Sequence, residues 1–127
     1  MITKATHVSL FVKNQDDAKK FYTEKLGFKV HTDENFSGMR WLTLNAGEQK
    51  DFELALMPAE TPEEVAIVGK QGAKKPFICF QTNDCNGDYK KLSGLGVKFA
   101  EQPTQHPWGL SATFEDLYGN LLYIVQV

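Results

Sequence analysis

Apolar and polar residues alternate over residues 7–12, which predicts a β-strand with one buried face. Asn14 follows as a helix N-cap, and apolar residues recur at helical spacing until Gly27 ends the helix. Further short apolar runs, separated by turn residues, predict the rest of this half of the chain. They give strands over 28–31, 39–44 and 51–57, with turns over 33–38 and 45–47. The first half therefore has the order βαβββ.

Residues 58–75 interrupt this alternation and are predicted to link two halves of the chain. Within them, Thr61 as the N-cap, Pro62 at the first helical position and Glu64 at the third predict a short helix that runs through Val68. The residues after this helix are rich in glycine and lysine. We expect them to form a flexible and solvated segment.

The pattern of the first half then restarts in the same order. It gives a strand over 77–82, a helix over 84–96, a strand over 97–100, a loop over 101–109 and a closing hairpin with its turn at 116–120. Asp84 is the predicted N-cap of the helix. Gly119 and Asn120 tolerate positive φ and therefore favour the turn of the hairpin. The second half is thus also βαβββ.

A shift of 70 residues superposes the two halves. It places His7 on Phe77 and Glu53 on Tyr123, at equivalent points of equivalent strands. A repeat of this length is too long for a solenoid period. It indicates a single domain, residues 1–127, made of two related modules. These modules are residues 1–57 and 76–127, joined by the linker 58–75.

Composition and charge narrow the function classes. The 127 residues are 42% hydrophobic and 24% charged, which is normal for one globular domain. A net charge of −2 provides no basic field, so no nucleic-acid partner is expected. No apolar run approaches the roughly 20 residues that span a bilayer, and the first residues do not resemble a secretory signal, so we expect a cytoplasmic protein without membrane association. Cys79 and Cys85 are expected to remain unpaired.

Four short motifs are spread over the whole chain. They are His7-Val-Ser-Leu, Ala18-Lys-Lys-Phe-Tyr-Thr-Glu-Lys-Leu-Gly-Phe, Pro107-Trp-Gly and Asp116-Leu-Tyr-Gly-Asn. Together they resemble the vicinal-oxygen-chelate superfamily, which includes glyoxalase I, extradiol dioxygenases, and bleomycin- and fosfomycin-resistance proteins. The last motif stands where this family commonly has Asp-Pro-x-Gly-Asn. The resemblance implies an α+β fold of two βαβββ modules, whose mixed sheets curl around one cleft with helices on the convex face. It also implies a homodimer.

The alternation along the strands is consistent with such an architecture. One set of positions is mainly aliphatic and is expected to form the helix-facing core: Val8, Leu10, Val12, Leu42, Leu44, Leu54, Leu56, Ile78, Phe80, Leu122 and Ile124. The opposite set mixes polar, aromatic and small residues, as in a ligand cleft: His7, Ser9, Phe11, Trp41, Thr43, Glu53, Ala55, Met57, Phe77, Cys79, Gln81, Tyr123 and Val125.

Metal-using members of this superfamily carry ligands at four positions of the cleft. The matching residues here are His7, Glu53, Phe77 and Tyr123, so the first module keeps an imidazole and a carboxylate and the second has lost both ligands. A catalytic divalent metal normally takes at least three protein ligands. We therefore expect no complete metal site and no resident cofactor. His7 and Glu53 remain as a residual half-site, or they form a polar pair across adjacent strands.

The candidate ligand-binding residues are those whose side chains are aromatic or polar on the expected cleft side: His7, Phe11, Trp41, Glu53, Phe77, Trp108 and Tyr123. Their rings are suited to stacking on a flat or apolar molecule. Arg40 is expected to be a solvated charge at the edge of the sheet. The favoured function is small-molecule binding, as in the drug-resistance members of the superfamily.

Two other interpretations of the sequence stay open. One is a metal-dependent lyase or dioxygenase of the glyoxalase type, and the other is a partner protein that kept the fold without its chemistry. No catalytic residue is assigned. Glyoxalase I activity is not expected, because it needs a metal and a carboxylate and the carboxylate position of the second module is Tyr123.

Overall fold

The computed structural model describes residues 1–127 and divides into two compact units, Met1–Val68 and Gly69–Val127. Each unit contains one four-stranded sheet of mixed direction and follows the order βαβββ. The prediction of an α+β protein made of two βαβββ modules is therefore confirmed. No helix in the structure has the length and apolar character needed to cross a membrane.

The first unit consists of a βαβββ core and one short helix that follows it. These are β1 His7–Val12, α1 Gln15–Lys20 with a π-helical extension Phe21–Lys25, β2 Lys29–Phe36, β3 Met39–Asn45, β4 Glu53–Pro58 and α2 Pro62–Ile67. The strand order in the sheet is β1-β4-β3-β2, with β1 and β4 parallel and the other neighbours antiparallel.

The second unit repeats this arrangement. It contains β5 Ile78–Gln81, α3 Cys85–Gly94, β6 Phe99–His106, β7 Gly109–Glu115 and β8 Leu121–Gln126. The strand order is β5-β8-β7-β6, in which only β5 and β8 are parallel. Parallel strands need a long connection, and in each unit this connection begins with a helix: α1 follows β1, and α3 follows β5.

The aliphatic face of each sheet forms the core of its unit. In the first unit Leu10, Leu42, Leu44 and Leu56 are fully buried, and α1 adds Ala18 to the same core. In the second unit the buried aliphatic residues come from the sheet and from α3: Ala112, Leu122, Ile124 and Leu92. Burying one leucine side chain contributes about 1.5–3 kcal/mol, so this face supplies much of the stability of each sheet. Among these residues, burial is confirmed for six members of the predicted helix-facing set: Leu10, Leu42, Leu44, Leu56, Leu122 and Ile124.

The predicted helix starts are confirmed in atomic detail. The Asn14 side chain accepts from the Asp17 amide at 2.9 Å, and the Asp84 side chain accepts from the Gly87 amide at 2.9 Å. Thr61 begins α2 with a capping box, in which the side chain of Glu64 also reaches back to the backbone. Each of these contacts satisfies amides that the first helical turn leaves without a partner.

Two predicted loops are in fact strands. Residues 33–38 were expected to form a turn and 101–109 a loop, yet β2 extends through Phe36 and β6 covers Phe99–His106. Both are edge strands, which pair on one side only and therefore need no run of buried apolar residues. The polar residues of β2 are stabilised by side-chain partners, as the three contacts of Asp33 with Arg40 and Lys19 show.

The segment after α2, expected to be flexible, is held against the turn of the closing hairpin. The Gln71 amide donates to Asn120 Oδ1 at 3.1 Å. Asp116 Oδ1 accepts from the amides of Tyr118 and Asn120 at 3.0 and 2.9 Å, which confirms the predicted turn at 116–120. Gly69 has φ +79°, and a Cβ there would lie 1.9 Å from the carbonyl oxygen of Tyr118. Only glycine permits so close an approach of the two chain segments.

Candidate functional site

His7 and Trp41 form an aromatic contact on the polar face of the first sheet. Their ring centroids are 5.4 Å apart and the rings are nearly perpendicular, at 86°. His7 is exposed, and its Nδ1 lies 3.2 Å from the hydroxyl of Thr6. Trp41 is half-buried. The edge of one ring points at the face of the other, which is a favourable geometry for two aromatic groups and fixes the indole on this face.

Glu53 is the neighbour of His7 in the parallel ladder of β1 and β4, but the two side chains do not form the predicted polar pair. Glu53 Oε1 lies instead 3.2 Å from Nδ1 of His31, with the side chains 21% and 43% exposed. His31 Nδ1 is also 2.9 Å from the hydroxyl of Thr32. Glu53, the acidic member of the expected half-site, therefore contacts a histidine of β2 and not the histidine of β1.

A β-bulge explains how His31 reaches Glu53. In the ladder of β2 and β3, Val30 is paired with Leu44 and Thr32 with Thr43, so His31 is the extra residue between two successive pairs. The bulge changes the strict alternation of side chains along β2. The sequence predicts His31 at the end of the strand 28–31, beside a turn, and does not include it among the ligand-binding residues. No pattern in the sequence marks the bulge, so nothing there pointed to this histidine.

A second aromatic cluster lies at the β6–β7 hairpin of the other unit. The rings of His106 and Trp108 are stacked in parallel, with centroids 4.5 Å apart and an interplanar angle of 2°. The indole Nε1 of Trp108 donates to the hydroxyl of Tyr123 at 3.0 Å. His106 Nε2 lies 3.8 Å from a carboxylate oxygen of Glu101. Trp108 is therefore fixed on two sides while 57% of its surface stays exposed.

The remaining predicted residues occupy the same faces of their own sheets. Phe11 is half-buried beside Met57, its register partner in β4. Phe77 is half-buried just before β5, where its amide donates to the carbonyl of Leu121 at 3.1 Å. His106 was predicted to lie in the loop 101–109. Neither His106 nor Glu101 was among the predicted ligand-binding residues.

Two buried hydroxyl groups lie among these residues without a hydrogen-bond partner. They are Oγ1 of Thr43 in β3 and Oγ of Ser111 in β7, both in fully buried residues. Thr43 is the register partner of Ala55, which belongs to the polar and aromatic face of the first sheet. Each hydroxyl has unused hydrogen-bonding capacity on that side of its sheet.

The side chains do not fit a metal centre with three protein ligands. No group of three or more histidine, cysteine, aspartate or glutamate side chains is placed to hold a metal ion. In the second unit the two family ligand positions are Phe77, which has no donor atom, and Tyr123, whose hydroxyl accepts from Trp108. Chemistry that depends on such a metal therefore has no ligand set among these residues.

Arg40 was expected to be a solvated charge, but it is the centre of an ion-pair network on the opposite, helix-covered face. Its Nε and Nη2 donate to Asp33 at 2.8 and 2.9 Å, and its Nη1 donates to Asp16 at 2.6 Å. Lys19 donates to the same Asp33 at 2.7 Å. Hydrogen bonds from Arg40, and then from Lys19, hold the pKa of the Asp33 carboxyl well below its usual range. Arg40 thus joins α1 to the sheet and is not available to a ligand.

The fold and its side chains define a class of protein: two βαβββ units, each with one aliphatic sheet face that is buried and one that carries aromatic and polar groups. The chain belongs to the Glyoxalase/Bleomycin resistance protein/Dioxygenase superfamily, whose family model matches residues 4–124.

Several relatives resemble the chain over nearly its whole length. Uncharacterized protein YurT of Bacillus subtilis (strain 168) is 38% identical over 130 residues, which cover 97% of this chain and 98% of YurT. The crystal structure of UcmS2 has a TM-score of 0.87 at 30% identity, covering 98% of both chains. The crystal structure of TnmS3, an antibiotic binding protein from Streptomyces sp. CB03234, has a TM-score of 0.82 at 30% identity, covering 98% of this chain and 96% of the other.

Proposed function

We propose that the protein binds a small aromatic or apolar organic molecule on the aromatic and polar face of a sheet, without a complete metal site. The observation that carries this proposal is the fixed and exposed ring of Trp108. Stacking on His106 and a hydrogen bond to Tyr123 hold the indole in one orientation, while 57% of its surface is open. A side chain that is already ordered loses little conformational entropy when a ligand stacks on it.

The first unit supports the same proposal through independent contacts. The perpendicular rings of His7 and Trp41 provide an apolar edge, and Glu53 and His31 stand beside it as hydrogen-bonding groups. Ligand sites typically combine a mainly apolar or aromatic lining with a few polar groups that fix orientation. The hydroxyl of Thr43 adds a buried group that still lacks a partner.

The comparisons add a further reason. TnmS3, whose structure resembles this chain at 30% identity, is described as an antibiotic binding protein. Binding of an organic molecule is therefore found in a related protein with nearly the same fold. The metal-dependent alternative has no comparable support, because the ligand positions of the second unit hold Phe77 and Tyr123.

The proposal is tested by titrating the protein with a panel of planar aromatic compounds and following tryptophan fluorescence and thermal unfolding. A compound that binds should raise the melting temperature as its concentration exceeds the dissociation constant. Trp108→Ala should weaken the binding about 2- to 12-fold, since an aromatic pair contributes roughly 0.5–1.5 kcal/mol beyond its buried area. Leu95→Ala removes an exposed apolar side chain at the end of α3 and serves as the matched control. The proposal is wrong if no compound of the panel stabilises the protein, or if both variants lose affinity equally.

A further inference from the structure

A pocket of about 280 Å³ lies in the first unit, where the start of β2, the end of β3 and the β3–β4 loop meet. The residues that give it chemical character are Lys29, His31, Asn45, Glu48 and Lys50. The sequence pattern had assigned no function to any of the lysines or to Glu48. Its lining is rich in cationic groups, unlike the aromatic contacts described above.

Glu48 forms an ion pair with one of the two lysines of this pocket. Lys29 Nζ is 2.6 Å from Glu48 Oε1, and the side chains are 61% and 84% exposed. The hydrogen bond from Lys29, with smaller contributions from the charges of Lys29 and Lys50, lowers the pKa of Glu48. Lys50 itself has no carboxylate within ion-pair distance. The exposed Glu48 carboxylate thus pairs with Lys29 and leaves Lys50 without an ion-pair partner.

The loop that carries Glu48 and Lys50 is held in a defined conformation. The Asn45 side chain donates to the carbonyl of Phe52 at 3.0 Å, across the two ends of the loop. The Gln49 amide donates to the carbonyl of Ala46 at 3.0 Å, and Gly47 takes φ +53° inside this turn. The backbone positions of both charged residues are therefore set before any ligand arrives, which reduces the entropy cost of binding there.

Two residues that line the pocket, Lys29 and Asn45, lie on the same face of the sheet as Trp41. Lys29 is the register partner of Asn45, and Asn45 stands two and four residues from Thr43 and Trp41 along β3, so all four share a face. His31 lines the pocket and also contacts Glu53 at 3.2 Å. Lys29 pairs with Asn45, and His7 pairs with Glu53. Continuing the β3–β4 register by one residue places Asn45 opposite Glu53, so Lys29 and His7 lie at the two ends of one row across four strands. At the usual strand spacing this row is about 14 Å long.

We propose that the pocket holds an anionic oxygen group, a carboxylate or a phosphate, of the molecule that binds the aromatic face, with Glu48 occupying its place in the free protein. This inference rests on the proposed small-molecule binding and adds the class of ligand: an elongated aromatic acid. On binding, Glu48 turns to solvent and the ligand's oxygens pair with Lys29 and Lys50. The row of about 14 Å suits a molecule that carries its acid at the end of two or more rings.

The experiment uses the intact protein and a matched pair of probes, biphenyl-4-carboxylate and biphenyl-4-carboxamide, in calorimetric titrations at low ionic strength. The carboxylate should bind about 2- to 30-fold more tightly than the amide, since two exposed ion pairs of roughly 0.2–1 kcal/mol each would form. The double variant Lys29→Gln/Lys50→Gln should remove this preference and leave the affinity for the amide unchanged. Lys90→Gln/Lys91→Gln, which makes the same charge change on α3, should keep the preference.

Glu48→Gln separates ligand recognition from a general effect of charge. It removes the competing carboxylate, so the affinity for biphenyl-4-carboxylate should rise about 2- to 5-fold while that for the amide stays constant. Biphenyl-4-yl phosphate in the same titrations distinguishes a phosphate from a carboxylate as the preferred anion. Equal affinities of acid and amide in the wild type would overturn the anion site while leaving small-molecule binding intact. Binding of none of the probes to the wild type or to Glu48→Gln would overturn the anion site, and the panel of planar aromatic compounds would then decide on small-molecule binding by itself.

Discussion

The substitution Asp33→Asn tests whether the ion-pair network on the helix-covered face holds α1 to the first sheet. Asp33 accepts two hydrogen bonds from Arg40 and one from Lys19, at 2.7–2.9 Å, and its side chain is 23% exposed. Exposed ion pairs contribute roughly 0.2–1 kcal/mol each, and hydrogen bonds to charged groups about 1.5–3 kcal/mol when buried. The site lies between these limits, and asparagine keeps the shape and one acceptor oxygen. We therefore expect Asp33→Asn to lower the free energy of unfolding by about 1–2 kcal/mol.

The dependence of this effect on pH identifies its cause. The pKa of Asp33 is lower in the folded than in the unfolded chain, so its stabilisation is complete above the unfolded value of about 3.9 and is lost as pH falls below it. Urea unfolding of the wild type and Asp33→Asn should therefore show a constant difference between pH 5 and pH 7, in the range of about 1–2 kcal/mol, that shrinks towards pH 2.

The control for this experiment is Glu48→Gln, which removes one partner of a fully exposed ion pair with Lys29. Although Lys29 also lowers the pKa of Glu48, solvent screens this pair, and no measurable change in the free energy of unfolding is expected. Equal effects of both substitutions, or a difference for Asp33→Asn that does not change with pH, would refute the assignment of the stabilisation to the network.

Three further predictions concern the backbone, the thiols and metal ions. Gly69→Ala should destabilise the protein by about 1–3 kcal/mol, because the φ of Gly69 is +79° and the new Cβ would meet the Tyr118 carbonyl. Gly94→Ala, with open space around it in α3, should be neutral or stabilising by up to about 1 kcal/mol. Urea unfolding compares the two variants. Thiol titration should find one fast cysteine, the exposed Cys79, because reagent cannot reach the buried Cys85. Burial raises the pKa of both thiols, so access separates their rates, and two equally fast thiols would contradict this. Chelation of divalent ions should leave the melting temperature unchanged, and loss of a stoichiometric metal with a fall in that temperature would contradict the expected lack of a complete site.

Most of the fold follows from local signals in the sequence. The N-caps Asn14, Thr61 and Asp84 all begin helices where their side chains predict, because capping depends on residues only three positions away. The turn at 116–120 is also local, since Asp116 binds the amides that follow it. Central strands are identified by their aliphatic alternation, which reports burial on one face.

The features that were missed depend on contacts distant in sequence. β2 and β6 carry polar residues over most of their length, and they are strands because their backbones pair with the neighbouring strand. Asp33 reads as a turn residue until Arg40, on the paired strand, provides its partner. Edge strands therefore lack the apolar pattern on which the prediction relied.

The sequence predicted which face His7 and Trp41 share but not the contacts they make. The alternation placed both residues in one set, and the structure brings their rings together at 5.4 Å. The partner of Glu53 was wrong, because a bulge shifts the register and turns His31 into the site. A bulge adds one residue to a ladder without any residue type that would reveal it.

The bulge of β2 has a counterpart in β6, and the two units differ in the side chain that this irregularity presents. Phe99 is paired with Phe114 and Glu101 with Thr113, so Ala100 is the extra residue at the position equivalent to His31. The first unit therefore presents an imidazole at this point of the backbone, and the second presents a methyl group. Since the irregularity is present in both ladders, Ala100→His would put an imidazole at the place in the second ladder that His31 has in the first. The two units thus share one backbone irregularity and differ in whether it carries a titratable group.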